Sequence, residues 1–392
     1  MNSITLPLSR IILLFLFILV SFNTLHAKEV LTDDTKVSLL TCDPGGEIYS
    51  LFGHSAIWIY DKELGINEVY NYGTFDFRDP KFLSKFLQGK LLYWLALDDG
   101  ERFLYAYNNL KRGIKENVFL LDSIQKNQLY HALKTNAEPE NRDYYYDFFF
   151  DNCSTRILDL FETNFGPYYI PEVSSKTFRD LIHEYLEGRD WTKFGIDLII
   201  GSLADKVTSA RQQMFLPEYV PRHMSKAKDA DGQSVMNKGT PIINHPWVMV
   251  SSFWITPIVL FTILLILELL VITYDPTKKW LRTYDTIWMV IMAICSAVLM
   301  FMWTGTNHQS CGLNFNLIVF SPLIIIWLLA KKFDKKFRIL NWLSLLIIVP
   351  YILLPFVKMG VQNIPSAALL ITLITAMKIF RSGNLKSFRK WV

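Results

Sequence analysis

Cys153 stands where a cysteine can serve as a nucleophile. Asp151 and Asn152 before it can cap a helix, and Ile157, Leu160, Phe161 and Phe165 follow at helical spacing, so Cys153 falls in a first helical turn. The partial positive charge there favours thiolate over thiol, and the unpaired N–H groups can hold an oxyanion. A thiolate also needs a base. His54 is the best candidate, because it follows Gly53 at the mouth of a strand over 55–60, where a side chain projects toward a site. A third polar group would orient the imidazole: Asn71 on the return strand 68–72 lies near the right end of the 62–67 turn, with Tyr72 and Glu68 as rivals. Asn152 and Tyr72, neighbours of these groups, are expected to meet substrate. Singly, each residue has a plainer role, as a buried small thiol, a satisfied histidine or a strand-ending asparagine. Adjacency in space would make them a site. His131, His183, His223 and His245 lack ligand spacing, so neither metal nor other cofactor is expected.

The elements that must position these groups predict an α+β domain. Segments 37–41, 55–60, 68–72, 117–121 and the aromatic run 144–150 have strand character. Asp122 with Gln125 forms a capping-box pattern for a helix over 124–134. Further helices are expected over 191–200 and 208–219.

At 392 residues and 51% hydrophobic, the chain is too apolar for soluble domains alone. Residues 28–248 alternate apolar and polar groups, whereas 249–392 carry long apolar runs. Arg10, the apolar run 11–20 and the small residues up to Ala27 form a signal peptide over 1–27; cleaved or kept as an anchor, it exports residue 28 onward. Five later segments can span a bilayer: 251–273, 286–304, 315–330, 339–357 and 364–380. Lys278, Lys279 and Arg282, the basic run from Lys331 to Arg338, and the tail with Arg381 to Lys390 belong inside, which leaves loops 305–314 and 358–363 on the exported side. The net charge of +4 comes from these flanks and implies no nucleic acid. Trp191, Trp247, Trp254 and Trp303 suit the headgroup level. If Cys153 stays free, Cys42 with Cys311 is the remaining candidate disulfide on the exported side.

Around Gly53-His54-Ser55-Ala56 and Asp151-Asn152-Cys153-Ser154-Thr155 the chain resembles a known family. The blocks 40–45, 49–54, 70–77, 146–156, 214–219 and 307–323 look like the bacterial lipoprotein N-acyltransferases called Lnb. Histidine before cysteine, with Asn-Cys at a helix start, is also similar to the circularly permuted branch of the papain-like superfamily, which includes the lecithin:retinol acyltransferase group. The resemblance implies a permuted papain-like exported domain fused to a five-helix transmembrane domain in the bacterial inner membrane, with its catalytic part in the periplasm. It implies Cys153 as the acyl-accepting nucleophile, His54 as its base, a membrane phospholipid as donor, and the N-terminal cysteine of a diacylated lipoprotein as acceptor. A thioester intermediate would divide amide formation into two steps, in a dry site at the bilayer surface.

The loop 304–316 carries Asn307, His308, Gln309, Asn314 and Asn316 between apolar spans, and polar groups there are costly unless they meet water, partners or substrate. The expectation is that the exported domain docks on this loop, and that His308, with Asn314 or Asn316, positions a headgroup or the acceptor amine. Two rivals stand beside this reading. One is a membrane-tethered hydrolase of the same fold, cutting peptidoglycan peptides or lipid esters. The other is a non-catalytic receptor or assembly factor with a structural Cys153.

Overall fold

The computed structural model describes residues 30–170, 175–245, 253–274, 279–322, 362 and 365–384. The signal segment, the 331–338 loop, Lys358, Trp247, the second half of span 315–330, all of span 339–357 and the basic tail beyond 384 lie outside the described residues.

Seven antiparallel strands form one sheet in the order β6-β4-β3-β2-β1-β5-β7: β1 Lys36–Cys42, β2 His54–Asp61, β3 Ile66–Thr74, β4 Leu92–Asp99, β5 Ile114–Val118, β6 Asp143–Tyr145 and β7 Thr240–Ile243. The helices, in chain order, are α1 Phe82–Leu87, α2 Gly100–Asn109, α3 Ser123–Ala137, α4 Cys153–Phe165, α5 Phe178–His183, α6 Asp190–Ile199, α7 Ala210–Gln213, α8 Tyr219–Met224, α9 Pro257–Tyr274, α10 Lys279–Thr304 and α11 Ser366–Asn384. The architecture is α+β, as expected. Val37, Leu39, Ile57 and Ile59 point to one face and pack under α3 and α4 with Leu129, Leu133, Ile157 and Phe161. Leu40, Cys42, Ala56 and Val69 point to the other face and meet Phe103 of α2. Two covered faces explain why β1 is buried in succession and not in alternation, Ser38 and Thr41 included.

Several boundaries differ from the sequence expectation for local reasons. The aromatic run predicted as a strand over 144–150 pairs only through Tyr145. Asp147 then turns the chain by accepting the N–H groups of Phe149 and Phe150, 2.9 and 3.0 Å away. The strand expected over 117–121 lies at Ile114–Val118. The helix expected over 208–219 is two short helices, α7 and α8, separated by the stretch that contains Pro217. The helix predicted over 124–134 is α3, with the Asp122/Gln125 capping box in place.

In the C-terminal part, Thr283–Thr304 of α10 is long and apolar enough to cross a membrane, and Pro257–Val271 and Ser366–Ile379 are shorter apolar helices. Buried Lys378 of α11 joins them: it donates to Glu268 of α9 at 2.6 Å and to Asp285 of α10 at 3.1 Å, while Trp288 donates to Thr375 at 3.0 Å. Paired charges are the tolerated form of ionisable groups at such depth. Residue 315, expected to open a span, instead begins a short 3-10 helix, Phe315–Ile318, whose buried asparagines serve α6.

α6 ties the sheet-bearing part to these helices. Phe194, Leu198 and Ile199 join the apolar cluster of α10 and α11, the Phe194 and Phe261 rings lie 5.8 Å apart, and Trp191 donates to the Ile255 carbonyl at 2.8 Å. Its last carbonyls have no partner within the helix. Asn314 donates to those of Leu198 and Ile199 at 2.7 and 2.9 Å, Asn316 to Asp197 and Leu198 at 3.0 and 3.1 Å, and Gln362 to Ile200 at 3.3 Å. Gly201 sits so close to the loop that a Cβ would fall 1.8 Å from the Gly312 carbonyl oxygen. The loop at the end of α10 therefore caps a helix more than a hundred residues earlier in the chain.

Candidate active site

Cys153 is the first residue of α4, and Asn152 is its cap. The Asn152 side-chain oxygen accepts from Ser154 and Thr155 N–H at 2.8 and 3.0 Å, while Thr155 Oγ1 returns a bond to Asn152 N–H at 2.7 Å. Its amide nitrogen donates to the carbonyls of Phe148 and Phe215 at 2.8 and 2.9 Å. Expected at substrate, buried Asn152 instead has its side chain engaged by the protein, and what it positions is Cys153. Asp151 is bound to Arg156, at 2.8 Å for one of the two contacts.

His54 opens β2, across from Cys42 in the β1 register. Gly53 before it has φ +80, and a Cβ there would lie 2.8 Å from the Cys42 carbonyl oxygen, so this turn requires glycine. The imidazole Nε2 lies 2.6 Å from Asn71 Oδ1, and Asn71 Nδ2 donates to Asp98 at 3.1 Å. The amide oxygen can only accept, so Nε2 carries a proton and Nδ1 is the nitrogen left for the thiol. The charges of His54 and Cys153 act on each other, and the Ser55 N–H adds to the stabilisation of negative charge on the sulfur. Ser55 and Ser154 hydroxyls, 3.0 Å apart, fasten β2 to α4.

Burial by itself would raise the Cys153 thiol. The charge and hydrogen bond of His54, the Ser55 amide and the Ser154 hydroxyl outweigh it and hold the thiol below its ordinary value. For His54, burial acts to lower the imidazole, but the charge and hydrogen bond of Cys153 and the bond to Asn71 raise it overall. Both directions favour a thiolate–imidazolium pair. At Cys42 burial outweighs the hydrogen bond of Tyr107 and the charge of Arg112 and pushes the thiol up to about 12, so of the two thiols beside His54 it is Cys153 that favours the thiolate.

Of the rivals for the third position, Glu68 receives bonds from Lys134 and Tyr70, both at 2.8 Å, and Tyr72 is buried with its hydroxyl on Asn136 at 2.9 Å. Neither bonds His54, and Tyr72 sits in the core where a substrate contact was expected. Asn314 and Asn316, expected at a headgroup, are buried in the clamp on α6. His308 lies on the loop with Nε2 2.9 Å from the Phe86 carbonyl oxygen. Cys42 and Cys311, the candidate bridge, are free thiols.

Sequence reasoning missed three groups around the sulfur. Gly73, at φ +90 in the irregularity between Asn71 and Thr74, leaves a methyl-sized space 3.7 Å from Cys153 Cβ, 3.8 Å from the Tyr144 hydroxyl and 3.9 Å from the Tyr146 ring. The dipeptide Tyr72-Gly73 directly after Asn71 was the available signal, since glycine inside a strand marks a bulge or close approach.

Residues 22–184 match the Lnb N-terminal periplasmic domain and residues 249–387 match the Lnb transmembrane domain. Comparison with curated proteins and with solved structures gives no match. The two matched stretches, in this order, cover most of the chain and include His54, Asn71, Cys153 and the docking loop. The chain belongs to the Lnb family: it is an inner-membrane protein with a periplasmic domain, and its membership implies lipoprotein N-acyltransferase activity.

Proposed function

We propose that the protein moves an acyl chain from a membrane phospholipid to the α-amino group of a diacylated lipoprotein's N-terminal cysteine, through a thioester on Cys153. Residues 28–248 form the periplasmic catalytic domain, with a permuted papain-like arrangement, and residues 249–392 the membrane domain with five spans. The observation that carries the reading is the Cys153–His54–Asn71 constellation in a part that is clamped onto the membrane helices by Asn314, Asn316 and Gln362.

In the first step the thiolate attacks the ester carbonyl of the donor. The carbon–oxygen bond breaks and the departing alkoxide takes the proton of the His54 imidazolium, leaving an acyl-Cys153 thioester and a lysophospholipid. In the second step the acceptor amine attacks the thioester, His54 takes its proton, and the thiolate leaves as the amide forms. Asn71 keeps the ring oriented through both steps. His308 helps position a headgroup or the amine at the membrane side.

A docked, lipid-facing site favours transfer over hydrolysis, because a lipid amine can approach where water is scarce. The test is mass spectrometry of a lipoprotein's N-terminal peptide from cells with and without the protein. An added amide-linked acyl chain that depends on the protein is the expected result. Free fatty acid release with an unmodified amine would identify the hydrolase instead.

A further inference from the structure

A continuous line of aromatic rings leads from the membrane-side loop to the thiol. The Phe86 ring lies 6.4 Å from His308, Phe82 stacks on Phe86 at 6.0 Å, Phe75 on Phe82 at 5.8 Å, Tyr93 lies 5.1 Å from Phe75, and Tyr146 stacks on Tyr93 at 4.6 Å. Tyr146 borders the same space over Gly73 as Cys153. The outer side of the line is bare: Phe77 is 59% and Leu83 65% exposed, and no residue of α1 is buried. Exposed apolar surface of this kind marks a binding or membrane surface. The stripe also continues an interface described above, because Asn307 N–H donates to the Gln88 carbonyl at 2.9 Å and His308 bonds Phe86, holding α1 against the loop at the end of α10.

We propose that this stripe is the bed for one acyl chain of a membrane lipid, which leaves the bilayer at loop 305–314, lies along α1 and ends with its carbonyl at Cys153. The inference rests on the acyl-transfer reading and adds where the chain binds. Rings along the bed favour long chains over short ones by apolar contact. The test uses the full-length protein in nanodiscs and compares acyl-Cys153 formation from dipalmitoyl and dihexanoyl phosphatidylethanolamine in wild type, Phe77→Ser and Leu83→Ser. Both substitutions are at exposed positions, and iodoacetamide labelling of Cys153 reports that the site is intact. The long-to-short preference is expected to fall at least about tenfold in the variants. An unchanged preference in a variant that still labels, or a change only in oligomeric state, overturns the bed. A wild type that is acylated by neither donor sinks the acyl-transfer reading itself.

A separate observation concerns Tyr144. Its side chain is buried, at 5% exposure, and its hydroxyl makes no hydrogen bond among the described residues, an arrangement that is costly to keep without a use. The hydroxyl faces the Gly73 space that Cys153 also borders, and the Arg156 guanidinium sits 3.9 Å over the phenol ring. A cation on the ring makes the phenol a stronger donor. We infer that the Tyr144 hydroxyl donates to the carbonyl oxygen of the acyl group as it becomes an oxyanion on Cys153. This too rests on the acyl-transfer reading. Tyr144→Phe removes only the unpaired hydroxyl, so thermal stability should hold. Alkylation by iodoacetamide, which forms no oxyanion, should proceed, while acylation by a phospholipid ester should slow by about a hundredfold. Acylation within about twofold of wild type, or an equal loss of alkylation, overturns the role. Wild-type protein that gives no more acylation than Cys153→Ala would instead refute the parent reading.

Discussion

Cys153→Ala protein is expected to fold and dock as wild type does while losing acyl transfer by at least about a thousandfold. Folding is preserved for a local reason. The cap of α4 is made by the Asn152 side chain and the backbone of Ser154 and Thr155, which alanine leaves untouched, and the Cys153 side chain is small and 7% exposed. Activity is lost for a chemical reason, since Cys42, the other thiol beside His54, is held in its neutral form by burial. Lipoprotein N-terminal mass spectrometry reads the activity, and a thermal melt of the purified protein reads the fold. Activity above about a tenth of wild type, a barrier change below roughly 1.4 kcal/mol, would remove Cys153 from the mechanism.

His54→Ala should have the next largest effect, and it should appear first as a change in the pH dependence of the thiol. In the native protein the Cys153 pKa is lowered, so the thiolate persists as pH falls from alkaline values until that lowered pKa is crossed. The His54 pKa is raised, so the imidazolium persists as pH rises until that raised value is crossed. The ion pair occupies the window between the two. Removing the imidazole leaves burial as the dominant influence, and burial raises the thiol. At neutral pH the iodoacetamide labelling rate of the Cys153 peptide should fall by more than about tenfold, recovering only in alkaline solution. Acyl transfer should fall further, by about 10²- to 10⁴-fold, because proton transfer to the leaving group is also lost. A variant with an unshifted labelling profile would mean that another group ionises the sulfur.

Much of this site was legible in the sequence where local rules govern it. Asn152 before Cys153 reads as a helix cap, Gly53 before His54 as a turn at a strand mouth, and the hairpin between β2 and β3 brings Asn71 back beside His54. The misreadings came from side chains whose partners are distant in sequence. Asn314 and Asn316 look like free polar groups at a bundle end until the carbonyls of α6, more than a hundred residues earlier, are seen to need donors. Tyr72 looks like a site neighbour because it follows Asn71, but strand alternation turns it to the opposite face, into the core with Asn136. Strand β4 and helix α2 escaped notice altogether. The burial of β4 alternates only weakly, and α2 starts at Gly100, a poor helix former capped by Asp99.

The central claim is that the acyl chain passes through the Cys153 sulfur, and trapping the acyl-enzyme tests it most directly. Full-length protein is incubated with phospholipid in the absence of acceptor, quenched in acid and digested, and the peptide containing Cys153 is weighed. The account predicts a fatty-acyl mass on that peptide which hydroxylamine removes and which vanishes once lipoprotein is added. Active transfer with Cys153 never acylated, or with the acyl mass on another residue, would contradict it.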